Sequence, residues 1–187
     1  MIIRNDDVGF DTAIGPFMQF CELCDKYGFR ILQAITPRGK PEAPIVATRN
    51  GEQIRRRGGD YTFAQNGPVL QYLLSRDDLI GVHGLYHTPT VEDWEIEEAI
   101  ALLISWGLTP TYYCPPYAGL GELGDWSERM SGLKVSAQTQ RLEDYLKSGT
   151  PTAEIVYLHS WRFHRGGHTL EDLGQCLKRL SATSDTT

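Results

Sequence analysis

Short apolar runs alternate with longer amphipathic stretches along most of the chain. Residues 2–5 (IIRN) read as a strand, and AIGPFMQFCELCDKYG places apolar side chains at helical spacing over 13–27 until Gly28 stops it. FRILQAIT (29–36) alternates as a strand does, 68–75 reads as a helix, and LIGV (79–82) as a buried strand. The clearest helix spans 91–107, where Trp94, Ile96, Ile100, Leu103 and Ile104 keep near-helical spacing and Gly107 closes it. PTYYC leads into Pro115-Pro116. LKVSAQ (133–138) reads as a strand, RLEDYLKSG (141–149) as a short helix and EIVYL (154–158) as a strand. TLEDLGQCLKRL (169–180) is a helix opened by Thr169, with Asp172 three residues on. Segment 37–68 holds four of the ten prolines and the run RRRGGD, and reads as loop with one short strand at 61–64. The tail SATSDTT (181–187) reads as disordered.

Strand–helix alternation of this kind predicts a mostly parallel sheet with helices outside, in a single α/β domain over 1–180. The 187 residues are too few for two ordinary domains. No apolar stretch nears the ~18 residues of a membrane span. Eighteen basic against 24 acidic residues, a net charge of −6, argue against a nucleic acid partner. Met1-Ile2-Ile3 runs straight into Arg4 and acids with no apolar leader, so a cytoplasmic protein is expected. No GxxxxGK[ST] or GxSxG occurs.

The polar residues that follow the strands carry the chemistry. Asp6 and Asp7 follow the first strand, His83 follows LIGV with His87 four residues on, and His159 follows EIVYL. In a parallel α/β protein the carboxyl ends of the strands share one face, where these groups can converge. Two imidazoles and a carboxylate form a catalytic zinc set, and a second carboxylate beside it can serve as general base. Taken singly, each piece has a plainer meaning: surface imidazoles on a helix, acids capping a turn, a histidine satisfied by its neighbours. Cys21 and Cys24 form a CxxC, but inside a helical pattern and with no second pair they read as buried thiols rather than a redox or zinc motif.

At these residues the chain resembles the polysaccharide deacetylases, the NodB-homology carbohydrate esterases. RNDDVG resembles their first motif, T-F-D-D. HGLYH resembles the second, H-[ST]-x-x-H, with Gly84 in place of the hydroxyl residue. YCPPYAG resembles R-P-P-Y-G, and LHSW the last motif, L-H. The motifs fall in family order from residue 4 to 161. The resemblance implies a distorted, incomplete (β/α) barrel and metal-dependent hydrolysis of an N-acyl group from an amino sugar or glycan precursor. Carried over by position, Asp7, His83 and His87 would bind one divalent metal ion, zinc in most of the family. Asp6 would take the proton of the attacking water, His159 would protonate the leaving amine, and the Tyr117 N–H would hold the oxyanion. Tyr86, Pro116, Trp161 and Arg162 are expected on the substrate side.

Two departures stand out. Cys114 occupies the place of the family arginine that orients the base, and LKVSAQ offers no acid to pair with such an arginine. Arg4, two residues before Asp6 on the same strand and hence on the same face, or Arg162 can stand in. His164 and His168 are weak rival ligands because Gly166-Gly167 separates them. The Arg55-Arg56-Arg57 run reads as a solvated loop, or as a contact for an anionic headgroup. The leading expectation is a zinc-dependent sugar N-deacylase, deacetylase or deformylase, working on a precursor of a surface glycan. The competing one is a catalytically inactive glycan-binding or scaffold module of the same fold.

Overall fold

The strand-end acids and imidazoles can converge only if the strands run parallel, and they do. A computed structural model describes residues 1–39, 44–49, 52–57, 61–88, 91–118, 132–136, 139–142, 144, 155–161, 163 and 169–184. Strand β1 (Ile2–Val8) is followed by helix α1 (Ile14–Lys26) and β2 (Arg30–Ile35). Next come β3 (Pro44–Arg49), β4 (Glu52–Arg57), α2 (Gly67–Leu74) and β5 (Leu79–Val82). Helix α3 (Asp93–Ser105), β6 (Pro110–Tyr113), β7 (Lys134–Val135), β8 (Thr139–Arg141), β9 (Ile155–Leu158) and α4 (Leu170–Ser184) complete the order.

Seven of these strands form one sheet in the order β7-β6-β5-β2-β1-β9-β8, with every pairing parallel. Traced from β1 the sequence runs outward to β7, then resumes with β8 at the opposite edge and returns through β9 to β1. That is the cyclic order of a (β/α) barrel left open between β7 and β8, a curled half-barrel.

Strand alternation separates two apolar layers. Ile3, Ile31, Ile35, Ile80, Val82, Val156 and Leu158 face the helices and pack with Phe17, Phe20, Leu73, Ile96, Leu103, Leu173 and Leu177. Each such side chain contributes roughly 1.5–3 kcal/mol by leaving water. Leu32, Ala34 and Cys114 form a smaller cluster on the concave side, with Ile2, Leu79 and Tyr112 packed on it. Gly28 (φ 72°) and Gly107 (φ 84°) follow the ends of α1 and α3, as the sequence pattern predicts. At α4, Thr169 Oγ1 accepts from the Asp172 N–H (3.1 Å) while the Asp172 carboxylate accepts from the Thr169 N–H (2.7 Å), the reciprocal cap expected there.

The segment read as loop over 37–68 is more ordered than its prolines suggest. β3 and β4 pair antiparallel from Pro44↔Arg57 to Arg49↔Glu52, apart from the main sheet. The strand expected over 61–64 is instead a single bridge, Arg38↔Thr62, followed by a 3-10 turn at Phe63–Gln65. LKVSAQ gives only the short β7, because its extended pairing ends at Val135. Arg141, expected to open a helix over 141–149, pairs in β8; most of that segment lies outside the described residues. α4 runs on through 181–184, into the stretch read as disordered tail, because its apolar stripe continues through buried Leu180. Residues 185–187 lie outside the described residues. Among the described residues, no helix is long and apolar enough to cross a membrane.

Candidate active site

On a regular strand, neighbouring residues point to opposite faces, so Asp6 and Asp7 cannot both serve one site without a break. β1 supplies it. Its register with β2 shifts between Asn5 and Val8, and Asp7 takes a left-handed φ of 62°. Arg4 and Asp6 stay on the concave side, while the Asp7 carboxylate meets three imidazoles at the carboxyl end of the sheet. His87 Nε2 stands 2.9 Å from Asp7 Oδ1, His83 Nε2 3.4 Å from the same oxygen, and His159 Nε2 3.5 Å from Oδ2.

His83 and His87 come together through a tight loop rather than a helix turn. The His83 N–H continues the sheet by donating to the Ile35 carbonyl (2.9 Å), and its Nδ1 donates to the Cys114 carbonyl (2.7 Å). That bond leaves Nε2 to face Asp7. Gly84 follows at φ 72°, and a Cβ there would lie 3.1 Å from Pro116 Cγ, so the hydroxyl residue of the resembled motif would be strained and would press on Pro116. His87 has φ 55°, and its ring lies 4.8 Å from that of His83.

One ligand atom each from Asp7, His83 and His87 falls within 4.8 Å of the others. Asp7 Oδ1 is buried and makes no well-aligned hydrogen bond. A carboxylate oxygen orphaned between two imidazole nitrogens fits a divalent cation, and the N₂O donor set suits zinc. Burial pushes the Asp7 carboxyl up, but the close approach and charge of His83 and His87 outweigh it and hold the group well below the ordinary carboxylate range. Strain gathers at this site. Among the described residues the non-glycine positions with positive φ are Asp7, His87 and Tyr117.

Asp6 lies deeper, 4% exposed. Its Oδ2 accepts from Arg4 Nη2 at 2.7 Å, and its Oδ1 is buried with no hydrogen-bond partner. Arg4 is itself buried; its Nη1 donates to the Ser136 carbonyl (3.1 Å) and hydroxyl (3.0 Å), and its guanidinium lies 4.9 Å over the Tyr157 ring. Of the two arginines considered for the place vacated at Cys114, Arg4 makes the contact; Arg162 lies outside the described residues. Sequence reasoning missed Ser136. It sits just past β7, on the segment searched for an acid, and a hydroxyl there receives the arginine where a carboxylate was sought. Cys114 is buried on the concave side, its thiol pushed up to about 12 chiefly by burial.

His159 follows β9, with its ring edge-on to Trp161 (5.6 Å between centroids). Trp161 is 41% exposed and donates its indole N–H to Asp7 Oδ2 at 3.2 Å. Tyr117 is 56% exposed, its ring 4.8 Å from that of His87. Pro116 is buried against Gly84, where the loops after β5 and β6 pack on each other. Tyr86 is half-buried and packs against the helix-side core. His164 and His168 lie outside the described residues, as do the side chains of Arg55, Arg56 and Arg57. Cys21 and Cys24 are buried in α1 as free thiols.

No family model and no curated relative matches the sequence. Solved structures do. A family 4 carbohydrate esterase from Streptomyces lividans, in complex with acetate, is similar over 97% of this chain and 87% of its own (TM-score 0.62, 14% identity). The peptidoglycan deacetylase PdaC from Bacillus subtilis is similar over 98% and 84% (TM-score 0.61, 14% identity). A family 4 pseudoenzyme from Bacillus anthracis is similar over 98% and 61% (TM-score 0.64, 11% identity). The chain thus has the incomplete (β/α) barrel fold of the family 4, NodB-type polysaccharide deacetylases.

Proposed function

We propose that this protein is a metal-dependent N-deacylase of amino sugars, with Asp7, His83 and His87 holding one zinc ion. The observation that carries the reading is the orphaned Asp7 Oδ1 set between two imidazole nitrogens at the carboxyl end of the sheet. Bound there, the cation supplies Lewis-acid polarisation of an acyl carbonyl. Asp6 is the base: Arg4 clamps one of its oxygens and leaves the other bare to take a proton from the attacking water. His159, on the far side of Asp7, gives a proton to the departing nitrogen. The Tyr117 N–H, in its left-handed turn beside His87, is the donor assigned to the developing oxyanion. The exposed rings of Trp161 and Tyr117 flank the cluster as platforms for a sugar face.

The test is release of free amine, with acetate or formate, from N-acetylated and N-formylated amino sugars by the zinc-loaded protein. Turnover abolished in Asp6→Asn supports the reading; a zinc-replete protein inert on the whole panel overturns it. Cys114 in the arginine position and the pseudoenzyme among the structural neighbours favour a second reading, an inactive glycan-binding module. Against it stands the Arg4–Asp6–Ser136 arrangement, which restores the missing support from elsewhere. Glycan binding undiminished by Asp6→Asn and by chelation would favour the second reading.

A further inference from the structure

We infer that Asn5 is a positioning residue for His159, held in the required orientation by a buried polar chain that runs back to Asp78. The inference rests on the deacylase reading for the role of His159. Asn5 and Gln33 are both fully buried on the helix side of the sheet. Asn5 Oδ1 accepts the N–H of Ser160 (3.0 Å), the residue directly after His159. Asn5 Nδ2 donates to Gln33 Oε1 (3.0 Å), and Gln33 Nε2 donates to Asp78 Oδ2 (2.9 Å). Asp78 is anchored in turn by Arg76, whose Nε and Nη2 both donate to it at 2.9 Å.

The direction of every bond follows from one end. A carboxylate paired with a guanidinium only accepts, so the amide nitrogen of Gln33 must face it. The Gln33 oxygen is then left to accept, which turns the Asn5 nitrogen towards it and the Asn5 oxygen towards the Ser160 N–H. Each amide is locked against the flip that would point a second N–H at Ser160. The consequence falls on the turn that leaves β9. The Ser160 N–H, two residues past β9, is tied to β1, the strand that also carries Asp6 and Asp7, so the acid and the base are referred to one backbone.

The test separates positioning of an acid from general structural support by leaving-group demand. Departure of an amine needs a proton; departure of 4-nitrophenolate does not. Asn5→Leu is expected to lower kcat on an N-acetylated glucosamine tetramer by about 100-fold, the scale of losing general-acid assistance, while 4-nitrophenyl acetate hydrolysis stays within about threefold. His159→Ala should lose at least as much amide turnover as Asn5→Leu. Gln33→Met, which keeps Asn5 but removes the lock, should lose amide turnover by a smaller factor, and serves if Asn5→Leu does not fold. Equal loss on both substrates, or none on the amide, in both variants overturns the inference. If His159→Ala keeps full amide turnover, or the wild type turns over neither substrate, it is the deacylase reading that fails. Hydrogen exchange then decides about Asn5: the Ser160 amide should exchange at least about tenfold faster in the Asn5 or Gln33 variant, and an unchanged rate overturns the inference.

Discussion

Removing Arg4 should destabilise the protein far more than removing Arg4 and Asp6 together. The pair is 2.7 Å apart, with side-chain exposures of 2% and 5%, so neither charge has water to fall back on. In Arg4→Met the methionine fills the space, but the Asp6 carboxylate is stranded in a buried position that already leaves its Oδ1 without a partner. Stranding one member of a buried ion pair costs about 3–5 kcal/mol, whereas replacing both members by neutral groups of similar volume is often close to neutral. Arg4→Met should therefore lose about 3–5 kcal/mol in urea unfolding. At roughly 2–4 °C per kcal/mol for a chain of this size, Tm should drop by about 6–20 °C. Arg4→Met/Asp6→Asn should recover most of that loss while remaining inactive. Circular dichroism against urea and temperature measures both. An Arg4→Met protein within about 1 kcal/mol of wild type, or a double variant as unstable as the single, would refute the buried clamp.

Other outcomes follow from local geometry. Gly84→Ser should destabilise by roughly 1–3 kcal/mol and weaken zinc binding, because a Cβ at φ 72° is strained and would stand 3.1 Å from Pro116; an unchanged urea midpoint would contradict this. The metal-free protein should lose stability as pH falls through the ordinary aspartate value of 3.8. The sign follows because the folded-state value of Asp7 lies below the unfolded one, so its contribution is complete at higher pH and lost on protonation. Asp7→Asn should flatten that part of the pH–stability curve, and a curve of unchanged slope would count against the cause given. Burial pushes the Cys21 thiol to about 12 and raises Cys24 as well, so neither should react with a thiol reagent in the native protein while both do in denaturant; rapid native labelling would contradict the packing.

The sheet was legible because parallel strands buried on both faces write themselves as short apolar runs: IIRN, FRILQAIT and LIGV each carried their strand to within a few residues. The β3–β4 hairpin was not, because four prolines and an arginine run drew attention away from the Asn50-Gly51 dipeptide between two β-capable stretches, itself a strong hairpin signal. Asp7, His83 and His87 were legible as strand-end polar residues. The kink that turns Asp7 to the imidazoles was not, since aspartate does not announce a positive φ as glycine does. Arg4 could be proposed from strand parity alone, but its second partner, Ser136, required three-dimensional proximity between β1 and the end of β7. The burial of Pro116 was not legible for a related reason: a motif gives order along the chain, and burial depends on which loop packs on which.

The central claim is that Asp7, His83 and His87 hold a single divalent cation. Anomalous diffraction at the zinc edge, from crystals of the zinc-loaded protein, tests it most directly. One strong peak within bonding distance of an Asp7 carboxylate oxygen and of Nε2 of both His83 and His87, absent from His87→Ala crystals, is the predicted result. No peak at that position, or zinc held by other side chains and not by these three, would contradict it.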